Sequence, residues 1–149
     1  MDAVRALKQI FLFKDVSEPV LKLVAEVAEV VSFGPGETIA DEGETAKALL
    51  LIRTGTVRVS SEGKPPVTFG TGEAIGQMAL LAGGHVGMTA VALEHVEAFE
   101  IRPERLAEKL AGNYEAGFEL YRAVARSLAG RMRRVVDDMV LASERLAHH

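Results

Sequence analysis

From Val30 to Ile101 the chain falls into short β-rich runs separated by glycine, a rhythm that few folds accept. The runs are Val30–Phe33, Thr38–Ala40, Ala48–Arg53, Thr56–Ser60, Val67–Phe69, Met88–Leu93 and Val96–Ile101. Gly34-Pro35-Gly36, Gly43, Gly55, Gly63 and Gly70 stand between them, where tight turns often require a positive φ. Val57 and Val59 alternate with Thr56, Arg58 and Ser60, the pattern of a half-buried strand. Leu49 to Ile52 is continuously apolar, which predicts a strand covered on both faces. About eight short strands at this spacing predict a sandwich or jelly-roll β-roll.

Helical patterns flank the β region. Val4, Leu7, Ile10 and Phe11 predict a short opening helix. Ser17 as N-cap, Glu18 and Pro19 in a first turn, and the stripe Val20, Leu23, Val24, Val27 and Ala28 predict a second helix ending near Ala28. Pro103 opens a third, which Gly112 and Asn113 break. The longest helix is predicted from Tyr114 to about Ala147. Its apolar residues Tyr114, Phe118, Tyr121, Ala125, Leu128, Met132, Val135, Met139, Ala142 and Leu146 alternate spacings of four and three, a heptad seam. The first turns are expected to pack on the β-roll through Tyr114, Phe118 and Tyr121. The later turns outrun any core the chain can offer, since the helix spans roughly 50 Å. The expected class is therefore α+β: residues 1–112 form a β-roll with flanking helices, and residues 113–149 a long helix suited to a coiled-coil homodimer. Phe118, Tyr121, Ala125, Leu128, Met132, Val135, Met139 and Leu146 are the expected interface. Arg133–Asp137 and Arg134–Asp138 are expected to pair along its polar face.

Composition narrows the function classes. The net charge of −4 over 149 residues argues against nucleic-acid binding by the chain as a whole. The cluster Arg126, Arg131, Arg133 and Arg134 reads as a solvated helix face, because Asp137 and Asp138 follow it. The absence of cysteine excludes a disulfide scaffold, a thiolate metal site and a thiol nucleophile, and fits a cytoplasmic protein. No His-x-His cluster with a carboxylate marks a metal centre, and no Ser–His–Asp arrangement stands out. Neither a signal peptide nor a membrane-spanning run is visible. No catalytic residue and no cofactor is expected. His148 and His149 carry no weight.

The stretch Gly72 to Leu93 has the outline of an anion cradle: a strand end, Gly76, a short apolar turn from Gln77 to Ala82, the pair Gly83-Gly84, then a β-branched run. Between Ala74 and Leu93 it contains no Lys, Arg, Asp or Glu. The glycines equally suit plain turns, and Val86 and Met88 have the bulk to fill a pocket. His85 and His95 read as loop histidines.

These elements in this order resemble the cyclic-nucleotide-binding domain family, the fold of the catabolite activator protein and of protein kinase A regulatory subunits. Leu7 to Phe13 is similar to the family's opening helix. Phe33, Gly36-Glu37 and Ile39 are similar to its F..GE.I signature, and Gly43-Glu44, Ile52, Gly55 and Val57 to the positions that follow. Thr89 to Leu93 looks like its (A)TV.AL run. The resemblance places the phosphate-binding cassette on Gly76 to Thr89, with Gly76, Gln77, Met78, Ala79, Val86, Gly87 and Met88 as ligand-binding positions.

The cassette departs from the family pattern at both anchors. The family's ribose-binding Glu falls on Gln77, which accepts a hydroxyl proton without charge assistance. Its phosphate-binding Arg falls on Val86, which offers no donor; His85 is adjacent, but neighbouring strand residues face opposite ways. The purine-contacting hydroxyls of the long helix fall near Arg131 and Met132, with Ser127 one turn earlier. The resemblance thus implies a regulatory sensor, not an enzyme, whose affinity for cyclic AMP is weakened. The alternatives are a module kept for dimerisation or partner docking, and the regulatory part of a transcription regulator. The family's transcription factors carry a helix-turn-helix domain after the long helix. None is expected before His149, so neither DNA nor membrane is an expected partner.

Overall fold

The computed structural model describes residues 2–43, 48–77 and 87–147. Strand β8 (Val96–Ile101) organises it, because its side chains are buried on both faces. Phe99 and Ile101 point one way, Val96 and Ala98 the other, so a layer must cover each side. β8 pairs antiparallel with β1 (Glu29–Phe33) and β3 (Leu49–Thr54), and β3 pairs with β6 (Ala74–Ile75), giving the order β1-β8-β3-β6. The second sheet places β2 (Thr38–Ala40) beside β7 (Thr89–Ala92), then β4 (Val57–Ser60) and β5 (Val67–Phe69), in the order β2-β7-β4-β5. All of these pairings are antiparallel. The two sheets enclose a core of Ile52, Val57, Val59, Ala90, Ala92, Val96 and Ala98. Alanines at three of these places let the sheets approach closely.

The outer face of the first sheet carries the helices. α1 (Ala3–Lys8) starts at Asp2, whose Oδ1 accepts from Val4 N at 3.0 Å. A 3-10 turn (Phe11–Phe13) and α2 (Glu18–Val27) follow. α3 (Pro103–Leu110) and α4 (Tyr114–Ala147) come after β8. Leu7, Ile10, Phe13, Leu21 and Val24 pack with Leu49, Leu51, Phe99 and Ile101 from the sheet and Leu106, Leu120 and Val124 from the last two helices. The α+β β-roll expected from the sequence is therefore the observed fold, with eight strands in two sheets among the described residues.

Four local expectations are corrected. α1 ends at Lys8, so Phe11 leaves the buried stripe and is 68% exposed. Ser17 occupies the N-cap position of α2 but makes no capping bond. It is bound to Glu119 instead: its Oγ donates to Oε2 at 2.9 Å and its N–H to Oε1, which ties α2 to α4.

The docking face of α4 is also different. Ala116, Leu120 and Val124 are buried, whereas Tyr114 is 88% and Phe118 65% exposed. Phe118 and Leu120 lie roughly 200° apart on the helix, nearly opposite. Tyr114 and Phe118 are turned outward, Arg122 lies 5.1 Å from the Phe118 ring centroid, and Tyr121 packs partly against the core beside the smaller aliphatics that make the close contact. Arg133–Asp137 and Arg134–Asp138 form no ion pairs among the described residues. Lys109–Glu26 and Arg105–Glu29 pair instead, joining α3 to α2 and to β1.

The register of α4 is open to a stability test. Leu120→Ala is expected to lower the unfolding free energy by about 2–5 kcal/mol, and Tyr114→Ser to leave it within about 0.5 kcal/mol, both measured by urea denaturation.

Candidate effector site between the sheet edges and the long helix

β5 and β6 are edge strands, one in each sheet, and the turn between them crosses the open side of the sandwich. The turn is fixed on every side. Glu73 N donates to Gly70 O at 3.1 Å, and Gly70 N to Glu73 Oε1 at 3.2 Å. Gly72 N donates to Ile52 O at 2.8 Å, and Ile52 N to Glu73 O at 2.9 Å. Phe11 N donates to Gly72 O at 2.8 Å, so the N-terminal segment clamps the turn from outside.

Gly76 ends β6 with φ +92°, and a β-carbon there would lie 2.7 Å from the Ala48 carbonyl oxygen. Both the backbone angle and the space require glycine. The next residue, Gln77, is the buried polar residue of the described set, at 3% exposure. Its Oε1 is enclosed and accepts no hydrogen bond. An unpaired buried oxygen costs about 1–3 kcal/mol, and such groups gather where a chain keeps a function at the expense of stability.

Gln77 lines a cavity of about 290 Å³ that runs from the β5–β6 turn to α4. Glu73 and Ala74 form the turn side, Phe11 and Leu12 one flank, and Ser127, Arg131 and Arg134 the helix side. Arg131 bridges the two sheet edges: its Nη2 donates to Ala74 O of β6 at 3.2 Å, and its guanidinium lies 5.2 Å from the ring centroid of Phe69 in β5. Burial holds the Arg131 guanidinium below its usual pKa; Glu73 opposes that shift and the nearby charge of Arg134 adds to it. The cluster Arg126, Arg131, Arg133 and Arg134 is thus not a uniformly solvated face, because Arg131 turns inward. Its position follows the spacing Leu120, Val124, Ser127, Arg131, which continues the docked stripe into polar residues. That stripe was present in the sequence, one face away from the more conspicuous heptad seam.

The sequence-derived site residues divide accordingly. Gln77 lines the cavity, and Gly76 precedes it in the chain. Gly87 is exposed, and Met88 is half-buried against the core between the sheets. Met78, Ala79 and Val86 lie outside the described residues. On α4, Met132, Val135, Met139 and Leu146 are exposed, together with Val136, Val140 and Leu141, so this part of the apolar seam has no cover among the described residues. Ala125 is exposed, whereas Tyr121 and Leu128 pack partly against the chain's own core. Among the described residues no cluster of His, Asp and Glu is arranged to hold a metal ion, and no helix is long and apolar enough to cross a membrane.

The family profile of the cyclic nucleotide-binding domain matches residues 30–113. The catabolite activator protein of Thermus thermophilus is 25% identical and superposes with a TM-score of 0.73; the match covers 89% of this chain and 62% of that one. The N-terminal domain of a transcriptional regulator from Streptomyces coelicolor A3(2) is also 25% identical, with a TM-score of 0.72 over 89% of this chain and 95% of that one. A cyclic nucleotide-binding domain from Methylobacillus flagellatus KT has the same fold, with a TM-score of 0.78 at 22% identity over 93% of this chain and 80% of that one. The chain belongs to the cyclic nucleotide-binding domain family.

Two substitutions test the local geometry by urea denaturation. Gly76→Ala is expected to cost at least about 1–2 kcal/mol from the left-handed backbone alone. Gln77→Met removes the unpaired oxygen at similar volume and is expected to raise stability by about 1 kcal/mol.

Proposed function

We propose that this protein is a regulatory sensor, not an enzyme, which binds a small effector beside Gly76 and Gln77 and transmits the event through α4 to a second copy of itself. One observation carries the reading: a cavity lined by Glu73, Ala74 and Gln77 has the long helix, through Ser127, Arg131 and Arg134, as its opposite wall. An effector in that cavity would touch the β5–β6 side and α4 in the same step. The protein's regulator relatives support a switching role for such a module. In this reading Gly76, Gln77, Met78, Ala79, Val86, Gly87 and Met88 are cassette positions. Residues 1–112 are the sensor unit and 113–149 the transmitting helix.

Ordinary cyclic AMP is a poor ligand in this account. Gln77 lacks the charge of a ribose-binding carboxylate, and Val86 has no donor for a phosphate. Gln77→Glu combined with Val86→Arg is expected to raise cyclic AMP affinity about tenfold or more, read by isothermal titration calorimetry. An unchanged affinity removes the assignment of these two positions.

The partner helix is the second part of the reading. Met132, Val135, Met139 and Leu146 form an exposed apolar line along α4, and pairing two such helices buries both lines. The same stripe favours a docking module as the alternative, should no effector bind. Val135→Asp with Met139→Asp is expected to yield monomers in analytical ultracentrifugation. Both side chains are exposed, so the fold should survive the change, and a dimer of unchanged mass would remove α4 from the interface.

A further inference from the structure

The cavity beside Gln77 has a charge pattern that the cassette sequence does not explain. Arg131 and Arg134 both line it, one helical turn apart. Among the described residues neither has a carboxylate within ion-pair distance. Glu73 is the acid nearest in the lining, and its Oε1 accepts from Gly70 N. Arg131's hydrogen-bond partner is a neutral backbone carbonyl, that of Ala74. Two arginine side chains therefore line a small cavity with Gln77 in the same wall, the unpaired Gln77 Oε1 being buried behind that wall.

Resting on the sensor reading, we propose that the cation of the effector site comes from α4. Arg131, supported by Arg134, takes the anionic group of a small phosphorylated effector. Three physical points support the assignment. First, an anion offers a guanidinium a paired, charge-assisted contact that one carbonyl oxygen cannot match, so Ala74 is a replaceable partner. Second, the desolvation of Arg131 and its repulsion from Arg134 are both relieved by an anion placed between them. Third, about 290 Å³ is at the lower end of ligand cavities, which suits a mononucleotide or something smaller. A neighbouring cavity of about 300 Å³ shares Ser127 and Arg134 and adds Lys14, Arg122 and Arg126 against Asp15 and Glu119, so bases outnumber acids in its lining. Release of Ala74 by Arg131 on binding would uncouple α4 from the edge strands and give the effector a direct hold on the helix.

Calorimetry on the full chain tests this with cyclic AMP, adenosine monophosphate, inorganic pyrophosphate and, as the uncharged comparison, adenosine. In the wild type at least one phosphate compound is expected to bind, and adenosine monophosphate to exceed adenosine about tenfold or more. Arg131→Gln should abolish that preference, Arg131→Lys should keep part of it, and Arg134→Gln, at an exposed position, should weaken it severalfold and flatten its salt dependence. Circular dichroism identifies any variant that has lost its fold, and the exposed Arg134 variant then decides alone. Equal binding of adenosine and its monophosphate, or an Arg131→Gln variant that binds phosphates like the wild type, overturns the anion assignment and leaves the sensor reading standing. Adenosine bound with no phosphate bound does the same. A wild type that binds none of the four overturns both the anion assignment and the nucleotide form of the sensor reading.

Discussion

The seating of α4 on the β-roll is the contact on which the site depends. Ala116, Leu120 and Val124 enter the core beside Leu49, Phe99 and Ile101, and burying two large aliphatic side chains contributes about 1.5–3 kcal/mol each. That contact fixes the rotation of the helix. Once Leu120 and Val124 are inward, the next positions on the same face are Ser127 and Arg131, and Arg131 arrives over the gap between β5 and β6. The bond between Ser17 and Glu119 secures the same rotation from the N-terminal side. The polar wall of the cavity thus follows from apolar packing two turns away.

The β5–β6 turn supplies the opposite wall, and its rigidity comes mainly from backbone hydrogen bonds. Its hydrogen bonds to Ile52 and Phe11 attach it to a central strand on one side and to the N-terminal segment on the other. Gly76 can then place Gln77 inward because no side chain stands between β6 and Ala48. The buried oxygen of Gln77 is thus imposed by a stiff backbone, which does not readily relax to give it a partner.

Most of the architecture was legible in the sequence because strand alternation and glycine spacing are local signals. Val57 to Ser60 read as a half-buried strand and is one. Leu49 to Ile52 read as covered on both faces, and its residues do serve both cores. The docking face of α4 was harder to see. Two stripes run along that helix, and the heptad series with its aromatics is the more conspicuous in composition. Which stripe meets the roll depends on the space left by α2, α3 and the first sheet, a tertiary fact that accepts Leu120 and excludes Phe118. The resemblance put the purine-contacting positions near Arg131, but the arginine itself read as one of four on a solvated face, and its inward turn depends on how α4 is seated. The unpaired state of Gln77 is likewise a property of its enclosure.

The two stripes of α4 make the helix a gear with teeth on different sides. One set is seated on the roll and ends at Arg131; the other, from Met132 to Leu146, is exposed. Arg131 lies two turns beyond the seated Val124, so in the proposed dimer a twist imposed on the exposed side would be felt at Arg131. A rotation of roughly 20° at a side-chain radius of about 6 Å moves a guanidinium by about 2 Å. Arg131 reaches Ala74 at 3.2 Å, and a hydrogen bond does not survive such a displacement. In the proposed sensor, torque on the outer stripe and occupancy at the inner one would thus be exchanged through the helix.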